Sequence, residues 1–451
     1  MRGPIQYFGF EVQDSSNFKM PAPSEAHRII TRFVLRRTKC LILFIPMRHL
    51  ILAALLALAM QNTVPDWPQF FGPERNGVYR GPALSEKWPS SGPRVVWQKQ
   101  VGQGFSGPVV VEGRVILFHR VSNREVVESF DARTGAPQWQ YGYPTTYRDD
   151  FGFDEGPRAV PVVANGVVYT FGAQGQLHAI SLMTGTKIWS EDTMKRFSVA
   201  KGFFGAGGSP LVEDGKVIAN IGGRGAGIVA FDAKTGKVLW MATDDEASYS
   251  SGVGATIGGR RSAIFLTRTG LVGLDPATGQ VQFQRRWRSR QAASVNAATP
   301  VVIGDLIFVS AEYGPGAAVL RVEGSTLTEL WASDEVLSNH YATSIHHNGF
   351  LFGYHGRQEF GPSFRAVELR TGKVRWSQDR FMAGSVTLAG DRLLILRESG
   401  ELILAEASPD AFRPVARAQI LPPTVRAFPA LADGLLYVRN EKTLVCLDLR
   451  R

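Results

Sequence analysis

Ten residues, FDAKTGKVLW at 231–240, return in variant form along the chain: FDARTGAPQW at 130–139, ISLMTGTKIW at 180–189, LDPATGQVQF at 274–283 and VELRTGKVRW at 367–376. Each carries Thr-Gly at its centre and an aromatic residue four positions after the glycine. Apolar residues alternate on both sides of this polar corner, so the unit reads as a strand, a tight turn and a second strand. Gly236 can take the positive φ such a corner demands, which Thr235 could adopt only with strain. Asp232 stands where its carboxylate can cap the turn amides.

Upstream of these corners lies a second hairpin, seen in SGPVVVEGRVILF (106–118), GGSPLVEDGKVIA (207–219) and AATPVVIGDLIFV (297–309). Two hairpins make a module of four short strands, repeated about every 40–50 residues, which is the spacing of a propeller blade. Blades are expected near 106–140, 157–190, 207–241, 250–284, 297–332, 340–377, 383–418 and 425–449. The last has only three strands. PRVVWQ (93–98), ending its apolar pair on Trp97, supplies the missing fourth and closes the ring. The expected fold is therefore all-β, an eight-bladed propeller of four-stranded antiparallel blades closed by an N-terminal strand. Closure of this kind removes the sheet edges that would otherwise invite aggregation. The 48 glycines in 451 residues, and the lack of a long amphipathic pattern after residue 60, agree with many strands and many turns.

MRHLILAALLALAMQ (47–61) has a methionine, one basic residue, an apolar run and Ala57-Leu58-Ala59 as a small-x-small cleavage pattern, and reads as a signal peptide over 47–59. Residues 1–46 then read as an upstream start or a cytoplasmic leader, 60–92 as an N-terminal extension and 93–451 as the propeller. The alternative is an uncleaved signal-anchor that includes CLILFIP (40–46), the single route by which the chain would touch a membrane. Cleavage after Ala59 leaves 42 basic against 37 acidic residues, so the formal charge falls from +10 to +5. Cys40 leaves with the leader, and Cys446 alone cannot form an intramolecular disulfide.

The repeated FDAKTGKVLW resembles the tryptophan-docking repeat of propellers of the pyrroloquinoline quinone (PQQ) type, and DWPQFFGPERNGV (66–78) resembles the opening of secreted bacterial proteins with PQQ-like repeats. Two functional classes share that repeat, quinoprotein alcohol dehydrogenases and non-catalytic envelope propellers of the outer-membrane assembly machinery. The repeat does not separate them, since a fold hosts functions without specifying them. The enzyme resemblance implies a quinone between a tryptophan floor and a vicinal disulfide, a bound calcium and an aspartate base. One cysteine after residue 59 rules out the vicinal disulfide. Trp97, Trp139, Trp189, Trp240, Trp331 and Trp376 occupy the docking position, which leaves Trp67, Trp88 and Trp287 as stacking candidates.

RDDFGFDEG (148–156) concentrates Asp149, Asp150, Asp154 and Glu155 in one glycine-containing connection, the best local oxygen supply for calcium, although its spacing matches no calcium loop and a solvated acidic loop is the plainer reading. NHYATSIHHNGFLFGYHG (339–356) holds four of the eight histidines. His340 and His346, six apart on one strand, would lie about 20 Å from each other. A turn at Asn348-Gly349 instead returns His355 toward His340, a pair that could hold a ligand or ion but lacks a third metal ligand. The connections between second and third strands should emerge on one face, and Arg224, Arg268, Arg357, Arg397 and Arg439 fall there. RRWRSR (285–290), with Trp287 among its arginines, is expected beside them. Such a rim suits anions through forked hydrogen bonds, or is merely wet.

No G-x-S-x-G elbow and no phosphate loop accompany these features. The composite reading is a periplasmic or secreted, monomeric, non-catalytic binding or assembly module with no assigned cofactor, whose partner is an envelope protein or an anionic ligand. Nucleic acid is excluded on compartment grounds. The alternative is an alcohol dehydrogenase-like oxidoreductase using PQQ and calcium in a non-standard site.

Overall fold

The Thr-Gly corners close as their sequence requires. In the computed structural model, which describes residues 66–291 and 294–450, the Asp232 carboxylate accepts the amides of Lys234 (3.1 Å) and Thr235 (2.8 Å) and the Thr235 hydroxyl (2.7 Å). Asp131 does the same in the first blade. The threonine hydroxyl, followed by the turn amides, holds both carboxylates below their ordinary pKa. Gly236 sits at φ +72°.

Each corner joins the third and fourth strands of a four-stranded sheet, and eight such sheets form the ring. The first strands are Val109–Val111, Val162–Ala164, Leu211–Glu213, Val253–Ile257, Val301–Ile303, Ile345–His347, Gly384–Ala389 and Ala430–Ala432. First strands of neighbouring blades contact one another, so they line the centre. The eighth sheet is completed by Arg94–Gln100, antiparallel to Thr443–Asp448. The helices among the described residues are short, a turn at Thr193–Arg196 and a 3-10 turn at Gln358–Phe360.

The fourth strand of every blade shifts register just before the docking position, for example between Val238 and Trp240. A bulge of this kind turns the aromatic side chain toward the next blade. There the indole lies against the corner glycine: Trp97 meets Gly135, Trp139 meets Gly185, Trp189 meets Gly236, Trp240 meets Gly279 and Trp331 meets Gly372. The indole nitrogens donate to the neighbouring blade's backbone, as in Trp97 to Ala132 (2.9 Å) and Trp189 to Ala233 (2.9 Å). Trp376 reaches Ser408 (2.9 Å), in a blade whose corner has no Thr-Gly.

The extension folds into the ring. Trp67 exchanges backbone hydrogen bonds with Val110 (2.8 and 2.9 Å), and the Pro68 carbonyl accepts from Val163 (2.8 Å). Val78–Tyr79 adds a parallel strand beside Leu388 and Ala389 of blade seven. Between them Arg75 is completely buried. It donates to Gln69 (2.9 Å) and to the carbonyls of Gly252 (2.6 Å), Ser209 (3.5 Å) and Pro210. Burial pushes its pKa down to about 9, which leaves it charged at neutral pH. The segment thus crosses the central channel as a plug. The expected signal peptide and residues 1–46 lie outside the described residues.

Gly236 and Gly113 share nearly the same φ, +72° and +71°, but a Cβ at Gly236 would meet the Trp189 indole at 2.8 Å while one at Gly113 meets nothing within 4 Å. Gly236→Ala is therefore expected to cost about 2–4 kcal/mol in a urea melt, backbone strain plus displaced packing, and Gly113→Ala only about 1 kcal/mol. Equal losses would show that the interblade contact adds nothing.

Candidate functional site

A repeat that enters each blade from the same face also stacks equivalent residues around the channel, and two such tiers build a funnel above the plug. The deeper tier lies two residues before each first strand. Here hydroxyls link the blades in sequence: Val160 N–H donates to Ser209 Oγ (2.9 Å), Ser209 N–H to Ser251 Oγ (3.1 Å), Ser251 N–H to Thr299 Oγ1 (3.3 Å) and Thr299 N–H to Thr343 Oγ1 (3.0 Å). The blade-eight member is Phe428, whose ring packs edge-on against Phe70 of the plug, centroids 4.8 Å apart. The second tier lies four residues before each first strand, and seven of its eight members line one cavity: Phe105, Arg158, Gly207, Tyr249, Ala297, Tyr341 and Arg426.

The cavity has a volume of about 210 Å³, with Phe70, Val160 and Phe428 among its floor residues. Phe153, Phe204, Tyr313, His340, Gln358 and Glu359 form its collar. Its carboxylates and arginines are matched to each other. Glu398 accepts from Arg426 Nε (2.7 Å) and from the Tyr341 hydroxyl (2.6 Å). Glu359 is paired with Arg357 (3.1 Å), and Asp149 lies 3.7 Å from Arg158. Burial raises the phenols of Tyr249, Tyr313 and Tyr341, so they stay protonated.

The acidic loop at 148–156 edges this funnel without forming one donor set. Asp149 accepts the amides of Phe153 and Asp154, and Asp154 accepts those of Gly104 and Gly156. Asp150 pairs with Lys201, and Glu155 with Arg148 and Arg120. Among the described residues no group of three or more His, Cys, Asp or Glu side chains is arranged to hold a metal ion.

His340 is not on the strand of His346, because that strand spans only Ile345–His347 and His340 precedes it in the connection. Its Nε2 lies 2.9 Å from the Tyr313 hydroxyl, whereas His355 Nδ1 accepts the Ser338 amide (3.1 Å). The two imidazoles engage different partners.

The arginines expected on one rim divide by burial. Arg224 is exposed. Arg268 lies 3.1 Å from Glu246 and over Phe203, and Arg357 lies over Tyr313. Arg397 donates to the Phe381 carbonyl and to Glu401. Arg439 is fully buried and donates to the carbonyls of Asn440 and Gly102. Trp287 is buried as well, its indole donating to the Gly316 carbonyl (3.2 Å). The cavity-lining arginines, Arg158 and Arg426, stand instead in the matching tetrapeptides RAVP (158–161) and RAFP (426–429).

The quinone and calcium arrangement implied by resemblance does not fit these residues. Glu359, the one acidic residue among the described lining residues, is bonded to Arg357, and the floor is phenylalanine and valine where a tryptophan is implied.

Fold and repeat together define an eight-bladed propeller of the PQQ-like repeat class. Residues 123–378, more than half of the chain, match the family model described as outer membrane protein assembly factor BamB, and the chain belongs to that family. Quinohemoprotein alcohol dehydrogenase ADH-IIG of Pseudomonas putida is 36% identical over 140 residues, which is 30% of this chain and 18% of that enzyme. The chain thus matches less than a fifth of that relative's length. The crystal structure of BamB from Moraxella catarrhalis superposes with a TM-score of 0.56 at 15% identity, covering 78% of this chain and 96% of that one. Quinohemoprotein alcohol dehydrogenase from Comamonas testosteroni gives 0.59 at 16% identity, covering 86% and 81%. Both structural matches are likenesses of fold.

Burial pushes His340 and His355 from the ordinary value of 6.5 down to about 4. The folded state disfavours their protonation, so the stability linked to them is complete above about pH 6.5 and is lost as pH falls toward 4. The melting temperature should drop between about pH 7 and pH 5, and drop less in the His340→Asn/His355→Asn double variant. Identical slopes for parent and variant would remove these histidines from the acid response.

Proposed function

We propose that this protein is a non-catalytic binding or assembly module of the cell envelope, whose funnel face receives an envelope protein or an anionic ligand. What carries the reading is the balance of groups at the funnel. Its carboxylates are spent on arginines, while aromatic faces and guanidinium N–H groups remain to meet an acceptor. A site of this composition can hold an anion but has no carboxylate in reserve to take a proton. His340, pushed down to about 4, is a weak base at neutral pH.

The leader pattern at 47–59 supports export to the periplasm or beyond, with 1–46 an upstream start or leader, 60–92 the extension and 93–451 the propeller, acting as a monomer. Membership of a family described as an outer membrane protein assembly factor supports the same compartment and a protein partner.

The second reading is an oxidoreductase using PQQ and calcium in a non-standard site, favoured by 36% identity over 140 residues to an alcohol dehydrogenase.

The mature chain, incubated with PQQ and calcium and supplied with an alcohol, is expected to leave an electron-accepting dye unreduced. Bait made from the same chain should retain an envelope protein or an anion, less of it as salt rises, because exposed charges are screened over about 8–10 Å at physiological ionic strength. Calcium-dependent quinone uptake with dye reduction would overturn the binding-module reading in favour of the second.

A further inference from the structure

Five side chains form a closed cycle of contacts in one part of the funnel wall. The Arg426 guanidinium lies 5.4 Å from the centroid of Phe105 and 5.3 Å from that of Phe153. Arg158 lies 5.6 Å from Phe105 and 5.5 Å from Phe204, and the rings of Phe153 and Phe204 are 6.1 Å apart. Two cationic and three aromatic groups hold each other in place and present π surface to whatever enters.

The two arginines are used unequally. Arg158 donates to the carbonyls of Asp154 (3.2 Å) and Gly156 (3.4 Å) and to the Tyr147 hydroxyl (3.5 Å), beside Asp149. Arg426 is held through Nε alone, and its two Nη nitrogens have no hydrogen-bond partner among the described residues. Neither nitrogen is among the buried orphaned atoms, so both are accessible, and Arg426 is one of the residues lining the cavity.

We infer that the funnel is a receptor for an aromatic monocarboxylate, its flat ring resting on Phe70 and Phe428 and its carboxylate taken by the Arg426 Nη nitrogens. The planar guanidinium edge matches the two carboxylate oxygens. One unspent fork suits one negative charge, and Glu359 and Glu398 close by oppose a second. The apolar floor and the caged phenylalanines favour a ring over an aliphatic chain, through stacking that adds to plain burial. This inference rests on the binding-module reading of the same funnel and names the chemical class of its ligand.

Calorimetric titration of the full exported chain tests it with four probes: phenylacetate, the uncharged 2-phenylethanol, the non-aromatic cyclohexylacetate and inorganic phosphate. Phenylacetate should bind, with 2-phenylethanol weaker by at least about tenfold, the worth of a charge-assisted hydrogen bond. Cyclohexylacetate should also be weaker, and phosphate should give no signal. Arg426→Gln should lower phenylacetate affinity by a similar factor. Because that variant also unpairs Glu398, Ala297→Leu provides the independent arm: it fills the second tier without touching an ion pair and should abolish binding at an unchanged melting temperature. Equal affinity for acid and alcohol, tight phosphate binding, or full affinity in both variants overturns the proposal. If phenylacetate fails to bind while the chain still retains an envelope partner, the ligand class falls and the binding-module reading stands. Dye reduction with PQQ and calcium defeats that reading whatever the titration shows.

Discussion

The contact between an indole and the glycine of the next blade's corner carries the ring. A propeller blade buries its two faces only against its neighbours, so each interface must be specified by residues on both sides. Here the bulge in the fourth strand aims the tryptophan, the corner glycine leaves room for its ring, and the indole nitrogen fixes the approach through a backbone carbonyl. Trp97 makes the same contact with Gly135 from the closing strand Arg94–Gln100, so the closing interface is built from the parts used elsewhere. Where the corner is missing, as at Ser408, the indole hydrogen bond persists without the glycine. The hydrogen bond is thus the more tolerant half of the device.

Once the ring is fixed, its symmetry does the work of placing the site. A residue at a given offset from the first strand must fall on the same tier in every blade. The offset of two residues yields a run of hydroxyls that tie blades two to six together through backbone amides. The offset of four yields the wall of the funnel, and variation at that single position, Phe, Arg, Gly, Tyr, Ala, Tyr and Arg, gives the wall its chemistry. Structure is held by one tier and the chemistry of the funnel wall is set by the next.

How much of this was legible in the sequence follows from the same periodicity. Hairpin corners, blade spacing and the clasp strand are local patterns, and the structure bears them out. The funnel arginines are legible in principle, because RAVP and RAFP repeat at one offset, but the charged hairpin loops give the stronger local signal. Burial is what separates the two sets. Arg439 occupies a loop that looks solvated in sequence, yet its guanidinium turns inward to the Gly102 carbonyl. Trp287 lies among arginines in a connection, and its burial depends on the carbonyl of Gly316 in the next blade, a long-range contact that no local pattern announces. The placement of His340 on the strand of His346 fails for a related reason: His340 belongs to a connection in which Asn339 pairs with Gly356.

The plug shows why the extension and the ring cannot be understood separately. Arg75 is buried with a charge and no carboxylate, an arrangement that is costly unless dense hydrogen bonding replaces the lost water. Its partners are carbonyls of blades three and four together with Gln69 of the plug itself, so the charge is satisfied only when the segment lies across the assembled ring. Folding of the ring and seating of the plug are therefore one event energetically. The consequence reaches the funnel, since Phe70, five residues earlier on the same segment, is part of its floor. The floor of the funnel thus depends on a segment anchored by a buried cation, and the stretch that precedes the first blade is as much a part of the cavity as the blades themselves.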